Sequence, residues 1–549
     1  MEKCLPELLS LICESLGRKD LLSMVLTGYR GFLDPALDAL WHDIPSLDPL
    51  IACLPEDLWR IERKPHPKNP NADYRTYHLR RPLRAADLQR YLDRYARRIR
   101  KLESGIPLVW EEKSTILSRD TLRAIQIITN FNPGVLSPLL QSFYWAPYPP
   151  DLQLHLGTGP SSTISEYIFL FLGDHVRNFA FPRLDNSDDQ TYATILMNIA
   201  DRFKDLEAIS LQSPYDTPPT LDISPSDTFL SSSPWRCLQS LAVDSITLPT
   251  LLHIATMPLL MSLILHFQNH DTLRYVPGST PSFAQPGYFR SVQDLSISCP
   301  ELGTATRILQ QFPSFNVVST LHCVIREAAS LDDIQTALDA IAAHCDPSSL
   351  KNFSLTIGTE KGYGSPVSSS LDIDISPLFS FKNLRTLELQ VLLTPNIGYK
   401  ESFSITSEAV SRMAISWPGM KYLDISSTRP NTSPNTPPID HRDILRLLEG
   451  MRSLTHLGLQ FNATEIEGHE LSSSGPFGLR RLHVHDSPVL STSNAVSFLK
   501  SNTPNLKTFG YLSTRQYSGW FQEGWERVRQ EAGYNSIDHR LFYESTDEY

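Results

Sequence analysis

The 549-residue sequence lacks the short motifs that mark common enzyme active sites. It contains no glycine-rich phosphate-binding loop, no Gly-x-Ser-x-Gly nucleophile elbow and no His-Glu-x-x-His zinc motif. Serine, histidine and aspartate are present, but their scattered positions define no triad, because a triad is recognised by its geometry. The sequence therefore predicts a protein that is not an enzyme, with no catalytic residues and no cofactor.

Cysteine is scarce, and no two cysteines stand in a Cys-x-x-Cys pair. The seven cysteines occur singly, at positions 4, 13, 53, 237, 299, 323 and 345. An odd, unclustered set is typical of reduced thiols in the cytosol or nucleus, and it argues against a disulfide framework. His483 and His485 share one face of a predicted strand, close to His456 and Asp424, but no metal-binding motif accompanies them. We therefore expect no metal site and a cytoplasmic or nuclear location.

An excess of basic residues and a long apolar run are also missing. The formal charge is −11, whereas a nucleic-acid-binding protein needs a basic face. The arginine-rich stretch from Arg75 to Lys101 is the exception, and its simplest interpretation is a solvated helix face. The most apolar run, Leu248 to Leu265, is interrupted by His253 and Pro258 and is too short to cross a bilayer. We expect neither a nucleic acid nor a membrane as a partner, and no signal peptide.

The sequence is rich in one spacing, apolar-x-x-apolar-x-apolar, which recurs fourteen times between Ile99 and Tyr511 if the first copy, which ends in Ser104, is included. A clear copy is Leu384-x-x-Leu387-x-Leu389. A train of such copies, separated by helix-like segments, is the signature of a leucine-rich repeat array. The copies begin at Ile99, Leu140, Val176, Leu206, Leu238, Leu260, Val292, Val318, Leu350, Leu384, Met420, Leu454, Leu479 and Leu506.

This repeat predicts an α/β fold. A short strand followed by a crossover helix, repeated many times, gives a curved solenoid with a parallel sheet on its concave face and helices outside. Residues 1–44 are predicted to form a three-helix domain and residues 45–98 a bridging linker and helix. The solenoid of about fourteen irregular repeats occupies residues 99–515. Residues 516–549 are expected to cap it, through a helix that carries Trp520, Phe521, Trp525 and Val528.

The N-terminal segment carries a recognisable pattern. It begins Cys4-Leu5-Pro6-Glu7-Leu8-Leu9-Ser10-Leu11-Ile12, continues with Lys19-Asp20-Leu21-Leu22 and closes with Leu40-Trp41. These residues resemble the F-box. Together with the irregular repeats that follow, they make the chain similar to the F-box-like proteins of mushroom-forming fungi (basidiomycetes).

The resemblance implies a substrate-recognition subunit of an SCF-type cullin–RING ubiquitin ligase. In that family the F-box binds a Skp-type adaptor and the repeats bind a protein substrate. The alternatives are that the apolar face of the N-terminal helices docks on the bridging helix, or that the protein is a non-catalytic repeat scaffold with no ubiquitin ligase role. The residues that match the adaptor-binding pattern are Leu5, Pro6, Leu8, Leu9, Ile12, Leu21 and Leu22.

The first, fourth and sixth positions of each repeat are predicted to point to a shared interior and the third, fifth and seventh to the concave surface, because side chains alternate along a strand. In the early and middle strands these residues are Tyr144, Ser210, Gln212, Asp244, Asp294, Ser296, His322, Asn352 and Ser354. For the whole row a solvated surface is the simplest interpretation, in which His483 and His485 of the late strands face solvent. The late row is richer in charged groups, and we predict it as a candidate partner-binding surface: Glu388, Gln390, Tyr422, Asp424, His456, Gln460, Arg481, His483 and His485.

Overall fold

A computed structural model describes most of the chain. The described residues are 6–27, 30–65, 73–104, 113–145, 166–182, 189–212, 225–244, 246–267, 288–314, 316–327, 329–358, 373–392, 405–428, 437–511 and 520–536. Contacts divide the chain into two units, Met1–Leu260 and Met261–Tyr549, which are described separately. No helix in the described ranges is both long enough and apolar enough to span a lipid bilayer.

The first unit begins with three helices, α1 (Pro6–Glu14), α2 (Arg18–Thr27) and α3 (Arg30–His42). There follow β1 (Asp43–Ile44), α4 (Asp48–Cys53), β2 (Trp59–Pro65), β3 (Asp73–Leu79), α5 (Ala85–Arg94), β4 (Lys101–Ser104), β5 (Lys113–Leu117) and α6 (Arg119–Ile128). The unit continues with β6 (Ser142–Trp145), β7 (Asn178–Ala180), α7 (Asp189–Arg202), β8 (Ala208–Ser210), α8 (Pro225–Ser231), β9 (Ser240–Asp244) and α9 (Leu248–Ala255). Short 3₁₀ turns lie at Glu56–Leu58, Ala96–Arg98 and Glu166–Leu170.

The second unit alternates strands with helices. Its first half contains β10 (Ser262–His266), β11 (Asp294–Cys299), α10 (Leu302–Leu309), β12 (Thr320–Ile325), α11 (Leu331–His344), β13 (Asn352–Ile357), a 3₁₀ turn (Ser376–Ser380) and β14 (Thr386–Leu392). Its second half contains α12 (Ser407–Ser416), β15 (Tyr422–Thr428), α13 (His441–Gly450), β16 (His456–Leu459), β17 (Arg481–His483), α14 (Thr492–Asn502), β18 (Thr508–Gly510), α15 (Trp520–Ala532) and β19 (Asn535–Ser536).

The strands lie where the repeat spacing predicts them. Each of the fourteen strands β4 and β6 to β18 begins two residues after a predicted repeat start. In the first unit β1, β4, β6, β7, β8 and β9 pair in parallel in that order. In the second unit β10 to β19 pair in parallel, each with the next. Parallel strands alternating with helices confirm the mixed α/β class.

The apolar positions of the repeats form the core. Leu384, Leu387 and Leu389 are all buried, as are the equivalent residues of the other repeats, except that Tyr511 is half-buried and the side chain of Ser104 lies outside the described residues. The prediction that the first, fourth and sixth positions face a shared interior is therefore confirmed. Full burial of a leucine-sized apolar side chain contributes about 1.5–3 kcal/mol, so the apolar positions of the repeats contribute a large share of the stability.

Side-chain caps start several of the helices that connect the strands. An N-cap oxygen accepts a hydrogen bond from one of the backbone N–H groups that the first helical turn leaves without a partner. In α11 and α13 the third helical residue, an aspartate, also accepts from the N-cap backbone, which completes a capping box. The caps are Ser118 of α6, Ser330 of α11, Thr406 of α12, Asp440 of α13 and Ser491 of α14.

A three-stranded sheet in the first unit was not predicted. β2 pairs antiparallel with β3, which pairs in parallel with β5. Over residues 45–98 the sequence predicts a linker and one helix from Pro82 to Arg98; α5 is shorter than this helix, and α4 was not predicted. The signal was present in the alternation of Trp59 and Ile61 with charged residues, but these strands contain few of the leucines that identify the repeats.

The predicted C-terminal helix is present as α15. Trp525 and Val528 are buried, and Trp525 Nε1 donates a hydrogen bond to the carbonyl of Ser487 at 2.7 Å. The side chains of Trp520 and Phe521 lie outside the described residues. After the helix, β19 pairs with β18, so α15 and β19 together cover the last repeat strand.

Truncation of a core leucine tests the repeat register. Replacing the buried Leu387 by alanine should lower the free energy of unfolding by about 2–5 kcal/mol, because the cavity forms among neighbouring repeats. Leu471→Ala is the matched control, since this leucine is exposed. The measurement is the midpoint of urea unfolding of the full chain. Equal midpoints for the two variants would contradict the assigned interior.

Candidate functional site

The N-terminal helices pack around a small core of their own. Cys13 of α1, Leu21 of α2 and Ala36 of α3 are buried together. Half-buried apolar side chains surround them, namely Leu16, Met24, Val25, Phe32, Ala39 and Leu40. A core of this size buries only part of the apolar surface that the three helices carry.

The remaining apolar side chains form an exposed set, which we call the N-terminal apolar face. Leu8, Leu11 and Ile12 share one side of α1 because they are three and four residues apart, and Leu22 and Leu26 share one side of α2. Of the fourteen large apolar side chains that are exposed in the described parts of the chain, these five lie within nineteen residues. Their exposed fractions are 49% (Leu8), 61% (Leu11), 38% (Ile12), 44% (Leu22) and 83% (Leu26).

The predicted adaptor-binding residues divide into four groups. Leu8, Ile12 and Leu22 are exposed, whereas Leu9 is half-buried. Leu21 was predicted to face the adaptor, but it is buried against α1 and α3 because Leu21, Met24 and Val25 form the inward side of α2. Leu5 and the side chain of Pro6 lie outside the described residues.

Sequence reasoning missed two members of this face, Leu11 and Leu26. Both could have been found from helical spacing, because Leu11 is three residues from Leu8 and Leu26 is four residues from Leu22.

A different surface attaches the N-terminal helices to the rest of the first unit. Trp41 of α3 stacks on Tyr95 with 4.3 Å between ring centroids. The Arg98 guanidinium donates to the carboxylates of Asp34, at 2.8 Å, and Asp38, both on α3. The bridging segment therefore contacts α3, and it leaves the N-terminal apolar face exposed. This contact does not support the alternative in which that face docks on the bridging helix.

The second candidate site is a group of titratable side chains on neighbouring strands of the second unit. The register places Glu388, Asp424, Gly458 and His483 side by side on β14, β15, β16 and β17. Asp424 Oδ1 lies 3.2 Å from His485 Nε2, and His485 Nδ1 lies 2.9 Å from His483 Nδ1. We call Glu388, Asp424, His456, His483 and His485 the late polar cluster.

Two backbone features assemble this cluster. Gly458 has no side chain where a Cβ atom would lie 2.5 Å from Cγ of Asp424, so the carboxylate has room to lie across β16. His485 has a φ of 50°, in the left-handed region that few non-glycine residues adopt. That conformation follows the end of β17 and allows the His485 ring to reach both Asp424 and His483.

The prediction that the histidines of the late row face solvent is wrong. Asp424, His456, His483 and His485 are buried. Neighbouring rings cover one another, since Tyr422 stacks on His456 with 4.1 Å between centroids. The more accessible members of the row are Arg481, which is exposed, and Glu388, Gln390, Tyr422 and Gln460, which are half-buried.

The early and middle members of the predicted row show no comparable burial. Asp294 is exposed and the others are half-buried: Tyr144, Ser210, Gln212, Asp244, Ser296, His322, Asn352 and Ser354. These side chains alternate with the buried apolar positions, so they point away from the core.

The contacts within the cluster limit how many protons it can hold. A carboxylate only accepts, so His485 Nε2 must donate to Asp424. A neutral His485 then accepts at Nδ1 from His483. Hydrogens on both Nδ1 atoms would break the contact, so only one of these two atoms carries a proton.

Burial and charge set the ionisation of the cluster. Burial lowers the pKa of His456 to about 4, so this ring is neutral at pH 7. Burial works against ionisation of Asp424, but the charge of His485 and its hydrogen bond outweigh it and lower the pKa of Asp424. Burial raises the pKa of Glu388 to about 7, although a hydrogen bond from Ser354 at 2.7 Å favours the charged form.

This arrangement supports structural and recognition roles. Across the described ranges, no group of three or more histidine, cysteine, aspartate or glutamate side chains has a geometry that could hold a metal ion. Asp424, His485 and His483 direct their donors and acceptors at one another, and Glu388 accepts from Ser354 and Gln390. The surface open to a partner is the outer part of the row around Tyr422, Gln460 and Arg481.

Comparison with known proteins adds little to these observations. No protein-family model and no curated protein matches the sequence. Among solved structures, the chain is similar to the crystal structure of the Rad7 and Elc1 complex in yeast, with a TM-score of 0.34 and 13% sequence identity. The match covers 69% of this chain and 84% of that chain. A likeness at this level carries no argument about function.

The raised pKa of Glu388 gives a pH-dependent prediction. Between its ordinary pKa of 4.5 and about 7, the folded chain retains a proton that the unfolded chain releases. The contribution of Glu388 to the free energy of unfolding therefore falls as pH rises through this window. Glu388→Gln cannot ionise. The free energy of unfolding of this variant, relative to that of the wild type, should therefore increase by about 2–3 kcal/mol between pH 5 and pH 8.

Urea unfolding at both pH values measures this difference. His456 contributes a slope of opposite sign between pH 4 and 6.5, but it is present in both proteins and cancels in the comparison. Glu408→Gln is the control, since Glu408 is exposed on α12. If Glu388→Gln and the wild type show parallel pH profiles, the carboxyl is not protonated as described.

Proposed function

We propose that this protein is the substrate-recognition subunit of an SCF-type cullin–RING ubiquitin ligase and has no catalytic activity of its own. Residues 1–44 would be an F-box-like domain that binds a Skp-type adaptor, and residues 45–98 a bridge. Residues 99–515 would be a curved leucine-rich repeat solenoid that binds a protein substrate, and residues 516–549 its cap. The proposal places the protein in the cytoplasm, the nucleus or both.

The N-terminal apolar face is the observation that carries this proposal. The F-box resemblance selects Leu8, Ile12 and Leu22 as adaptor-binding residues, and all three are exposed on a small helical unit. The five side chains of the face are about half exposed on average. Covering them would contribute on the order of 4–8 kcal/mol, before the entropic costs of association. A surface of this kind is typical of a protein-binding site.

The second candidate function is a non-catalytic repeat scaffold without a ligase role. One observation favours it, because β1 pairs with β4 and so covers the first repeat strand. The N-terminal region would then serve as a cap. Capping uses β1 and Trp41, whereas adaptor binding would use the outer sides of α1 and α2, so the two roles occupy different residues. Deletion of residues 1–44 would remove both roles, and only substitutions on the apolar face separate them.

The repeats of the second unit would supply the substrate-binding surface. Charge reversal of Glu388 or Asp424 would disturb the buried cluster rather than an exposed contact. Arg481, Gln460, Tyr422 and Gln390 are the members of the late row that a protein substrate can reach.

A double substitution on the apolar face tests adaptor binding. Leu8→Asp with Ile12→Asp should abolish co-purification with a recombinant Skp-type adaptor, because two charges would enter the apolar contact. Both side chains are already exposed, so the thermal unfolding midpoint should stay close to that of the wild type.

Leu471→Asp with Leu490→Asp is the matched control, since both leucines are exposed in the second unit. This control should retain adaptor recovery. Full recovery of the adaptor by the Leu8→Asp, Ile12→Asp variant would leave the scaffold function as the better proposal.

A further inference from the structure

The first unit concentrates positive charge in one short segment of an acidic chain. Residues 75–101 contain nine arginines and Lys101, but only two acidic residues, Asp87 and Asp93. The formal charge of the segment is therefore +8, while that of the whole chain is −11. This segment includes β3 and α5, and adaptor binding as proposed above does not use it.

Part of this charge is neutralised within the first unit. Arg81 donates to Asp57 at 2.7 Å and to Asp87 at 2.8 Å. Arg98 binds the two aspartates of α3, and Lys101 lies 2.7 Å from Glu103 and 3.3 Å from Asp43. These cations have structural roles, because they join the bridging segment to α3 and to neighbouring strands.

Three other arginines form a row on the outside of the helix. Arg90 and Arg94 are four residues apart on α5, and Arg97 follows three residues later in the 3₁₀ turn, so all three lie on one side. All three are exposed, and none forms an ion pair with a carboxylate in the described parts of the chain. We call Arg90, Arg94 and Arg97 the basic ridge.

Nothing in the fold of α5 requires this ridge. The helix is held by its opposite side, where Leu88 and Tyr91 are buried and the Tyr91 hydroxyl donates to the carbonyl of Leu136 at 2.6 Å. Like charges four residues apart destabilise a helix by about 0.2–0.5 kcal/mol. The exposed carboxylate beside the ridge, Asp93, accepts from the Gln89 amide at 2.8 Å and makes no ion pair with the ridge. The row therefore lowers the stability of α5.

We propose that the basic ridge binds a short acidic segment of a partner protein. Guanidinium groups form charge-assisted hydrogen bonds with carboxylates, which matches an occupant rich in Asp and Glu. The arginines from Arg84, which is also exposed, to Arg97 span about 20 Å of helix. That length corresponds to about six residues of extended peptide.

The charge of the rest of the molecule favours a short segment over a nucleic acid. A phosphate polymer would extend beyond the ridge on both sides and would meet a chain whose overall charge is strongly negative. An acidic segment of a few residues can be confined to the ridge. The proposal concerns a surface separate from the N-terminal apolar face, and it holds whether or not an adaptor binds there.

A binding experiment on the full chain tests this surface. The probe is a fluorescein-labelled twelve-residue peptide of Glu, Asp and Ser, and its fluorescence anisotropy is followed at 50 and 150 mM salt. The wild type should bind the peptide, more weakly at the higher salt. Arg90→Gln with Arg94→Gln should weaken binding by about tenfold or more. The Leu8→Asp, Ile12→Asp variant should bind as the wild type does.

The chain offers a matched control on α6. Arg119 and Arg123 are exposed, belong to the same unit and have the same four-residue spacing. Arg119→Gln with Arg123→Gln should leave peptide binding unchanged. Three outcomes would overturn the proposal: no binding by the wild type, equal losses in the two double variants, or tighter binding of a single-stranded oligothymidylate of the same charge that depends on Arg90 and Arg94.

Discussion

Alternation of side chains along the repeat strands is the constraint on which both units depend. The leucines at the first, fourth and sixth positions are buried, so a strand that slipped by one residue would exchange its apolar and polar faces. The same register places Glu388, Asp424, Gly458 and His483 next to one another. Core formation and assembly of the late polar cluster are therefore consequences of one pairing, and any change that shifts the pairing disturbs both.

The repeat strands could be predicted from the sequence, because the spacing of leucines reports burial directly. Ile99, Leu140 and the other starts each lie two residues before an observed strand. The sheet of β2, β3 and β5 was missed, because its strands alternate charged and aromatic residues and do not match a leucine template. The depth of burial of His483 and His485 also could not be predicted, since it depends on the space beside Gly458 and on the left-handed backbone of His485.

For the N-terminal helices, too, the sequence predicts some features and not others. Periodicity predicts that α1 and α2 each carry an apolar side. The F-box resemblance selects three of the five residues of the N-terminal apolar face, namely Leu8, Ile12 and Leu22. It does not decide which of the adjacent residues Leu21 and Leu22 faces inward, because that depends on how α2 packs against α1 and α3. Tertiary packing therefore assigns Leu21 to the core and leaves Leu22 exposed.

The contacts of α3 have a mechanical consequence. Trp41 stacked on Tyr95 and Arg98 bound to two aspartates fasten α3 to the bridging segment, and β1, which follows α3 directly, pairs with β4 of the first repeat. Three separate points suppress rotation about any single one. A molecule bound to the outer sides of α1 and α2 would consequently have a fixed orientation relative to the first repeat strand.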